Sequence, residues 1–328
     1  MKALIYGISG QDGAYLARYL LDIGYEVWGA SRDAATAQFD RLRKVGALGR
    51  VRLISASLGD FRSVLNSLAT AKPDEVYNLS GQSSVSLSFD QPVETMESIS
   101  TGALNLLEAI RFFDRNIRLY NAGSSECFGD TRSLPANEET PFHPRSPYAV
   151  AKSAACWITA NYREAYGLFA CNGILFNHES PLRSERFVTR KVIAAVARIS
   201  NGSPEKLKLG NLDIHRDWGW APEYVQAMWR LMQHSTAEDI VIATGQTNSL
   251  REFVQTAFQV AGLDWETYVE YDTNLLRPTD IMASYADPSK AYSVLNWKAE
   301  VRMQEVVKLM LDAELNGSSA DLKSALSR

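Results

Sequence analysis

Residues 2–24 read KALIYGISGQDGAYLARYLLDIG, and this stretch decides the fold class. Lys2–Tyr6 is a short apolar run, Gly7, Gly10 and Gly13 follow at GxxGxxG spacing, and Ala14–Ile23 is amphipathic with a helical period. Strand, glycine turn and helix in that order open a βαβ unit. Glycines permit the tight turn and let the backbone approach an anion, and the free N–H groups of the helix N-terminus then face it. In this setting Gly7, Ile8, Ser9, Gly10, Gln11, Asp12 and Gly13 predict a cradle for the pyrophosphate of a dinucleotide. Without the flanking strand and helix, the same glycines would indicate only a turn.

The alternation continues outward from this unit. Glu26–Ala30 and Val51–Ser55 read as strands, Asp60–Ala69 as a helix, Glu75–Leu79 as a strand, Gly102–Phe113 as a helix, Ile117–Asn121 as a strand, Tyr148–Tyr166 as a long helix and Cys171–Phe176 as a strand. Such alternation implies a parallel sheet covered on both faces. After Asn177 the rhythm breaks into a loop, a basic helix near Val188–Ile199 and a short strand near Lys208. Pro222–Gln233 reads as a helix, Asp239–Ala243 as a last sheet strand and Leu250–Ala261 as a helix opening at Ser249. The expectation is an α/β protein with a doubly wound parallel-sheet Rossmann domain over 1–176 and 212–261. A smaller interleaved α/β substrate lobe takes 177–211 and 262–328, ending in a Ser-rich stretch, Asn316–Arg328, expected to fray.

Composition narrows the function. The chain has 328 residues, 46% of them hydrophobic and 22% charged, with net charge −4 and no lysine or arginine tract. That balance suits a globular enzyme and argues against wrapping nucleic acid. No apolar run approaches the roughly 20 residues that cross a bilayer, so no membrane partner is expected, and the N-terminal run, broken by glycine and Gln11-Asp12, is not a signal peptide. Cys127, Cys156 and Cys171 are odd in number and lack CxxC spacing, which suits free thiols in a reducing, cytoplasmic setting. The four histidines are scattered, and no metal site is expected.

Two further patterns carry chemistry. Ser146-Pro147-Tyr148-Ala149-Val150-Ala151-Lys152 contains YxxxK behind a good N-cap and a proline at the first helical position. Tyr148 and Lys152 then share a helix face, where an ammonium would lower the tyrosine pKa and make a usable base, and the lysine could also reach a cofactor ribose. The strand Ile117–Asn121 leads into Gly123-Ser124-Ser125-Glu126. Ligands bind beyond the carboxyl ends of parallel strands, so Ser124 and Glu126 are expected to face the same crevice, one to hold a sugar oxygen and one to move a proton. At the end of the second strand, Ser31-Arg32-Asp33 lacks the acid that would hold a ribose 2′-hydroxyl; Arg32 favours NADP, while the adjacent Asp33 keeps NAD open.

The chain resembles the GDP-mannose 4,6-dehydratase family of the extended short-chain dehydrogenase/reductase superfamily. The resemblance runs from GISGQDGAYLARYLLDIGYEVWG (7–29) to ADPSKAYSVLNWK (286–298), and is most specific in TPFHPRSPYAVAK (140–152), ACNGILFNHESPLRSERFVTRKV (170–192), LGNLDIHRDWG (209–219) and IATG (242–245). It implies an NADP-dependent hydro-lyase with no net cofactor turnover. Tyr148 would take the proton of the sugar 4-hydroxyl as C4 gives up hydride, and Glu126 would remove the acidified C5 proton and protonate the departing 6-hydroxyl. Hydride would return to C6, giving GDP-4-keto-6-deoxy-D-mannose and water. Ser124 stands where the family usually has threonine and would hold O4.

The resemblance also implies that Ser57, Leu58, Leu79, Gln82, Ser83, His178 and Arg183, with Tyr148 and Lys152, face the cofactor. Asn177, Val188, Lys191, Arg216 and Arg277, with Ser83, Ser124, Glu126 and Tyr148, would hold the GDP-sugar, the two arginines on its diphosphate. A structural alternative for Arg216 is a salt bridge to Asp217. A homodimer or homotetramer is implied. The chain departs from the family pattern at Asp33, in the loop 34–39 (AATAQF), at Ala56-Ser57-Leu58 and at Asn121, Gly123 and Ser124. The last three are read as lining the sugar pocket's edge, which makes another GDP-sugar, such as a GDP-manno-heptose, an alternative substrate for the same dehydration. A nucleotide-sugar 4-epimerase or 4-keto reductase is a further alternative, though neither needs Glu126, and a non-catalytic binder would need none of the four catalytic candidates.

Overall fold

The computed structural model describes residues 1–131 and 134–316. Its strands in chain order are β1 (Lys2–Tyr6), β2 (Glu26–Ser31), β3 (Arg52–Ser55), β4 (Glu75–Asn78), β5 (Arg118–Ser124), β6 (Ala170–Leu175), β7 (Asn177–Glu179), β8 (Leu207–Leu209), β9 (His215–Trp220), β10 (Asp239–Ile242), β11 (Thr247–Ser249) and β12 (Val269–Tyr271). Among the described residues, seven of them form one parallel sheet in the order β10-β6-β5-β4-β1-β2-β3. Ala3, Leu4 and Ile5 of β1 are all fully buried. A strand with helices on both faces has no solvent side, so its sequence reads as a continuous apolar run and not as an alternation. Helices Gln11–Asp22 and Ala221–Gln233 pack into the core on one face, and Phe61–Ala71 and Gly102–Phe113 into the core on the other. Strand order reverses between β1 and β4, which opens a crevice beyond their carboxyl ends.

A row of amides crosses this sheet. Asn78 Nδ2 donates to Asn121 Oδ1 at 3.0 Å, and Asn121 Nδ2 donates to Asn172 Oδ1 at 2.9 Å. Asn172 Nδ2 donates in turn to Asp239 Oδ1 at 2.9 Å, which also accepts from Arg163 at 2.8 Å. The row ties β4, β5, β6 and β10 together in register. It also corrects the reading of Asn121, whose buried amide is spent inside the sheet and not at the edge of the sugar pocket.

The second core gathers helices Val188–Ser200, Leu250–Val260 and Met303–Asn316 with Trp218 and Trp220 of β9. Beside it β11, β9 and β7 form a small sheet, β9 pairing parallel with β7 and antiparallel with β11. The segment 212–261, read from sequence as part of the first domain, therefore divides. Ala221–Gln233 and β10 pack with the large sheet, whereas β9 and Leu250–Val260 pack in the second core, and Ala291, Leu295, Trp297 and Ala299 return to the first. An amphipathic period shows that a helix has a buried face, not which neighbour covers it. The fraying expected beyond Asn316 falls on 317–328, outside the described residues. Among the described residues no helix is long and apolar enough to cross a membrane.

Candidate active site

The glycine turn is built as its spacing requires. Gly7 has φ +84°, and a Cβ there would fall 2.6 Å from Leu79 O. A Cβ at Gly13 would fall 2.3 Å from Gly7 O. The turn closes through Gly10 N donating to Gly7 O at 2.9 Å, and no side chain caps the helix that follows, so its first N–H groups face the crevice. These residues open on a groove of about 970 Å³ lined by Gly7, Ser9 to Gly13, Arg32, Ser57, Leu58, Leu79, Gln82, Ser83 and Arg183. A turn packed too tightly for a Cβ at Gly7 or Gly13, opening on a groove at a helix N-terminus, fits a dinucleotide pyrophosphate. Of the expected cofactor residues, Tyr148, Lys152 and His178 line the cavity beside this groove instead, and Ile8 lines neither. Its side chain is fully buried against Gly29.

A second cavity of about 360 Å³ shares the wall Leu79 to Ser83, Arg183, Arg186 and Phe187 with that groove. Ser124, Glu126, Tyr148, Lys152, Asn177, Val188, Lys191, Arg216 and Arg277 all line it. The end of β5 supplies Ser124, whose hydroxyl accepts from Glu126 N at 3.3 Å and so starts the turn that carries Glu126. Ser146 caps the helix Pro147–Tyr166 by accepting from Ala149 N at 3.1 Å, which fixes the first turn bearing Tyr148.

The Tyr148/Lys152 pair differs from expectation. Lys152 Nζ lies 6.0 Å from the Tyr148 ring centroid and donates to Ala122 O at 2.8 Å. It does not meet the phenol oxygen. Burial pushes the Tyr148 pKa up, the Ser124 hydroxyl and the Arg183 charge pull it back, and Glu126 and Cys127 raise it further. Burial also lowers Lys152. The lysine alone does not make this tyrosine a base.

His178 lines the smaller cavity, and its partner Asp12 lines both. Its Nδ1 faces Phe176 O at 2.7 Å and its Nε2 faces Asp12 Oδ2 at 2.9 Å. Both ring nitrogens therefore meet acceptors, an arrangement that suits imidazolium. Burial lowers the His178 pKa, but the Asp12 charge and hydrogen bond outweigh it and the net direction is up. Burial likewise raises Asp12, and the His178 charge overcomes this and holds the carboxyl at about 2.

Arg216 is buried, with Nη1 donating to Ile281 O at 2.8 Å and to His215 O at 2.9 Å. Its carboxylate neighbour is Asp280, at 3.5 Å, which Arg277 also approaches at 3.6 Å. The structural alternative of an Arg216–Asp217 bridge is thus not what forms. Asp217 accepts instead from Thr244 N at 3.0 Å and Gly245 N at 2.7 Å. Burial lowers the Arg216 pKa, and Glu126 and Asp280 raise it, which places Glu126 within its field.

Lys191 Nζ donates to Lys208 O at 2.7 Å. Gly123 contributes only backbone; a Cβ there would meet Cys156 Sγ at 3.0 Å and Gly173 O at 3.2 Å. Its departure from the family pattern therefore does not widen the sugar pocket. Asp280, Arg186 and Asn211 also line the cavity, and no motif marked them.

The family model for GDP-mannose 4,6 dehydratase matches residues 4–310. The chain is 47% identical over 323 residues to GDP-mannose 4,6 dehydratase 1 of Arabidopsis thaliana, covering 95% of this chain and 89% of that protein. It is 42% identical over 338 residues to GDP-mannose 4,6 dehydratase of Homo sapiens, covering 95% of this chain and 91% of that protein. Among solved structures, the UDP-glucose 4-epimerase of Thermus thermophilus in complex with NAD aligns at TM-score 0.84 and 25% identity, over 97% of this chain and 100% of that one.

Proposed function

The chain belongs to the GDP-mannose 4,6-dehydratase family, and we propose that it converts GDP-D-mannose into GDP-4-keto-6-deoxy-D-mannose and water. The observation that carries this reading is one cavity, adjoining the dinucleotide groove, that gathers Ser124, Glu126, Tyr148 and Lys152. A nicotinamide dinucleotide, proposed to be NADP, would accept hydride from C4 and give it back at C6.

The chain's own residues do the rest. Ser124 holds O4, and Tyr148 takes the O4 proton; burial disfavours its phenolate, and the Ser124 hydroxyl and the Arg183 charge offset part of that cost. Once C4 is a ketone, the C5 proton is acidic. Glu126 removes it and delivers a proton to the departing 6-hydroxyl, so one carboxyl serves as base and acid in turn; as hydride would return at C6, C5 would take back a proton, which balances the one Tyr148 took from O4. Arg216 and Arg277 are proposed to take the GDP diphosphate, with Asp280 holding both guanidiniums in place. Asn177, Val188 and Lys191 are proposed to hold the nucleoside. A closed site matters because the ketone must not leave between steps.

The heptose alternative has less support than the sequence suggested, since Asn121 and the absent side chain of Gly123 face the sheet and the long helix. A 4-epimerase or 4-keto reductase has no use for Glu126. Assembly into two or four copies belongs to the same proposal; Val150 and Trp157, exposed two turns apart on one helix, support it.

The test is Glu126→Gln. With NADP+ and GDP-mannose the variant should lose water-releasing turnover by about a hundredfold or more, the scale of a removed general acid–base, while calorimetry shows unchanged NADP+ binding. Near-normal dehydration by the variant would overturn the role given to Glu126.

A further inference from the structure

Arg41 has no place in the reading so far. It lies in the short helix Asp40–Lys44, at the far end of the segment that leaves β2 through Arg32. Its guanidinium is held in place, with Nε donating to Leu182 O at 2.7 Å and Nη1 donating to Ser9 O at 3.1 Å. Ser9 belongs to the glycine turn, and Arg41 lines the same groove as Ser31, Arg32 and Ser57. Its neighbour Asp40 is engaged with Arg43, and among the described residues neither Arg41 nor Arg32 has an ion-pair partner. Asp33, the acid that keeps NAD open in the sequence, is turned away. Its carboxylate accepts from Ala35 N at 3.0 Å, Thr36 N at 3.2 Å and Thr36 Oγ1 at 2.7 Å, closing its own loop.

The backbone also has to be forced to place Arg41 there. Phe39, two residues earlier, sits at φ 50°, in the left-handed region that costs an aromatic residue energy, with its ring buried in the first core. The anchored ring fixes where the short helix starts and so where Arg41 meets the groove.

Two guanidiniums without carboxylate partners among the described residues, at the end of the groove beside the second strand, suit an anion there. A ribose 2′-hydroxyl is neutral, whereas a 2′-phosphate is dianionic and matches the arginine fork. We propose that Arg41 binds the 2′-phosphate of NADP together with Arg32, and that it sets the preference for NADP over NAD. This rests on the dinucleotide reading of the groove. A purely structural role is the competing account, since Arg41 also staples the glycine turn to the loop carrying Arg183. A staple would weaken both dinucleotides alike.

The discriminating measurement is calorimetric affinity for ADP-ribose and for its 2′-phosphorylated form, in the full-length wild type and in Arg41→Ala. The wild type should prefer the 2′-phosphate. In Arg41→Ala that preference should shrink by about tenfold or more, the loss of a hydrogen bond to a charged group, while ADP-ribose affinity changes by no more than about threefold. Arg41→Gln, which keeps an N–H donor for Ser9 O, should show the same narrowing if Arg41→Ala fails to fold. An unchanged preference, with both ligands weakened together, would overturn the proposal and leave Arg41 a staple. A wild type that binds both forms equally would overturn the NADP assignment itself, and this proposal with it, without touching the dehydration chemistry.

Discussion

Arg216 and Asp217 are adjacent in sequence and serve different neighbours. One faces the cavity beside Asp280; the other, fully buried, holds the backbone of the turn between β10 and β11. Burial raises the Asp217 pKa from 3.8 to about 6, against the pull of its Thr244 and Gly245 hydrogen bonds. A folded pKa above the unfolded one means that the native state binds the proton more tightly. The resulting stabilisation is full below about pH 4 and is lost as pH rises to about 6, on the order of 3 kcal/mol for this group. Thermal unfolding should therefore show the wild type's stability, relative to Asp217→Asn, falling between pH 4 and pH 6.5; a difference that grows with pH would contradict the assignment. That Ser124, Glu126, Tyr148 and Lys152 line one cavity was legible, because a strand end and a helix period place them. The partners of Arg216 and Arg41 were not. Arg41 touches Leu182 across 141 positions and Arg216 touches Ile281 across 65, contacts that only the folded chain creates.

Among the elements, those with enough residues to show a period were legible. The seven strands of the large sheet and the long helices lie within a few residues of their expected bounds. The strands β7 and β11, three residues each, carry no detectable alternation, and the short helices Val85–Asp90 and Pro92–Met96 have too few turns to show a stripe. The amide row through Asn78, Asn121 and Asn172 was equally hidden, because buried strand positions ordinarily take apolar residues. Its weight can be measured. Asn121→Leu strands a donor on Asn78 and an acceptor on Asn172 in a dry sheet, so urea unfolding should show a loss of about 2–4 kcal/mol. No loss would mean that the row is incidental to the register of β5.

At the scale of the molecule, the sheet and the second core meet over one crevice. The glycine turn after β1 and the β5 end leading through Ser124 to Glu126 belong to the large sheet, and the helix bearing Tyr148 packs on the sheet face opposite the first core. Val188, Lys191 and Arg216 come from elements of the second. Because the chain crosses between the cores several times, the groove beside the glycine turn and the cavity beside it share a wall. In the proposed reaction that arrangement would let hydride leave one carbon of a sugar and return to another without the sugar departing, and a bound dinucleotide would then serve as a catalyst in place of a consumed reagent.

The most direct test of this claim follows a label. GDP-mannose carrying deuterium at C4, incubated with the enzyme and a substoichiometric amount of NADP+, should give GDP-4-keto-6-deoxy-D-mannose with the deuterium on C6 and many turnovers per dinucleotide. Label lost to solvent, or reduced dinucleotide accumulating one-for-one with product, would contradict the account.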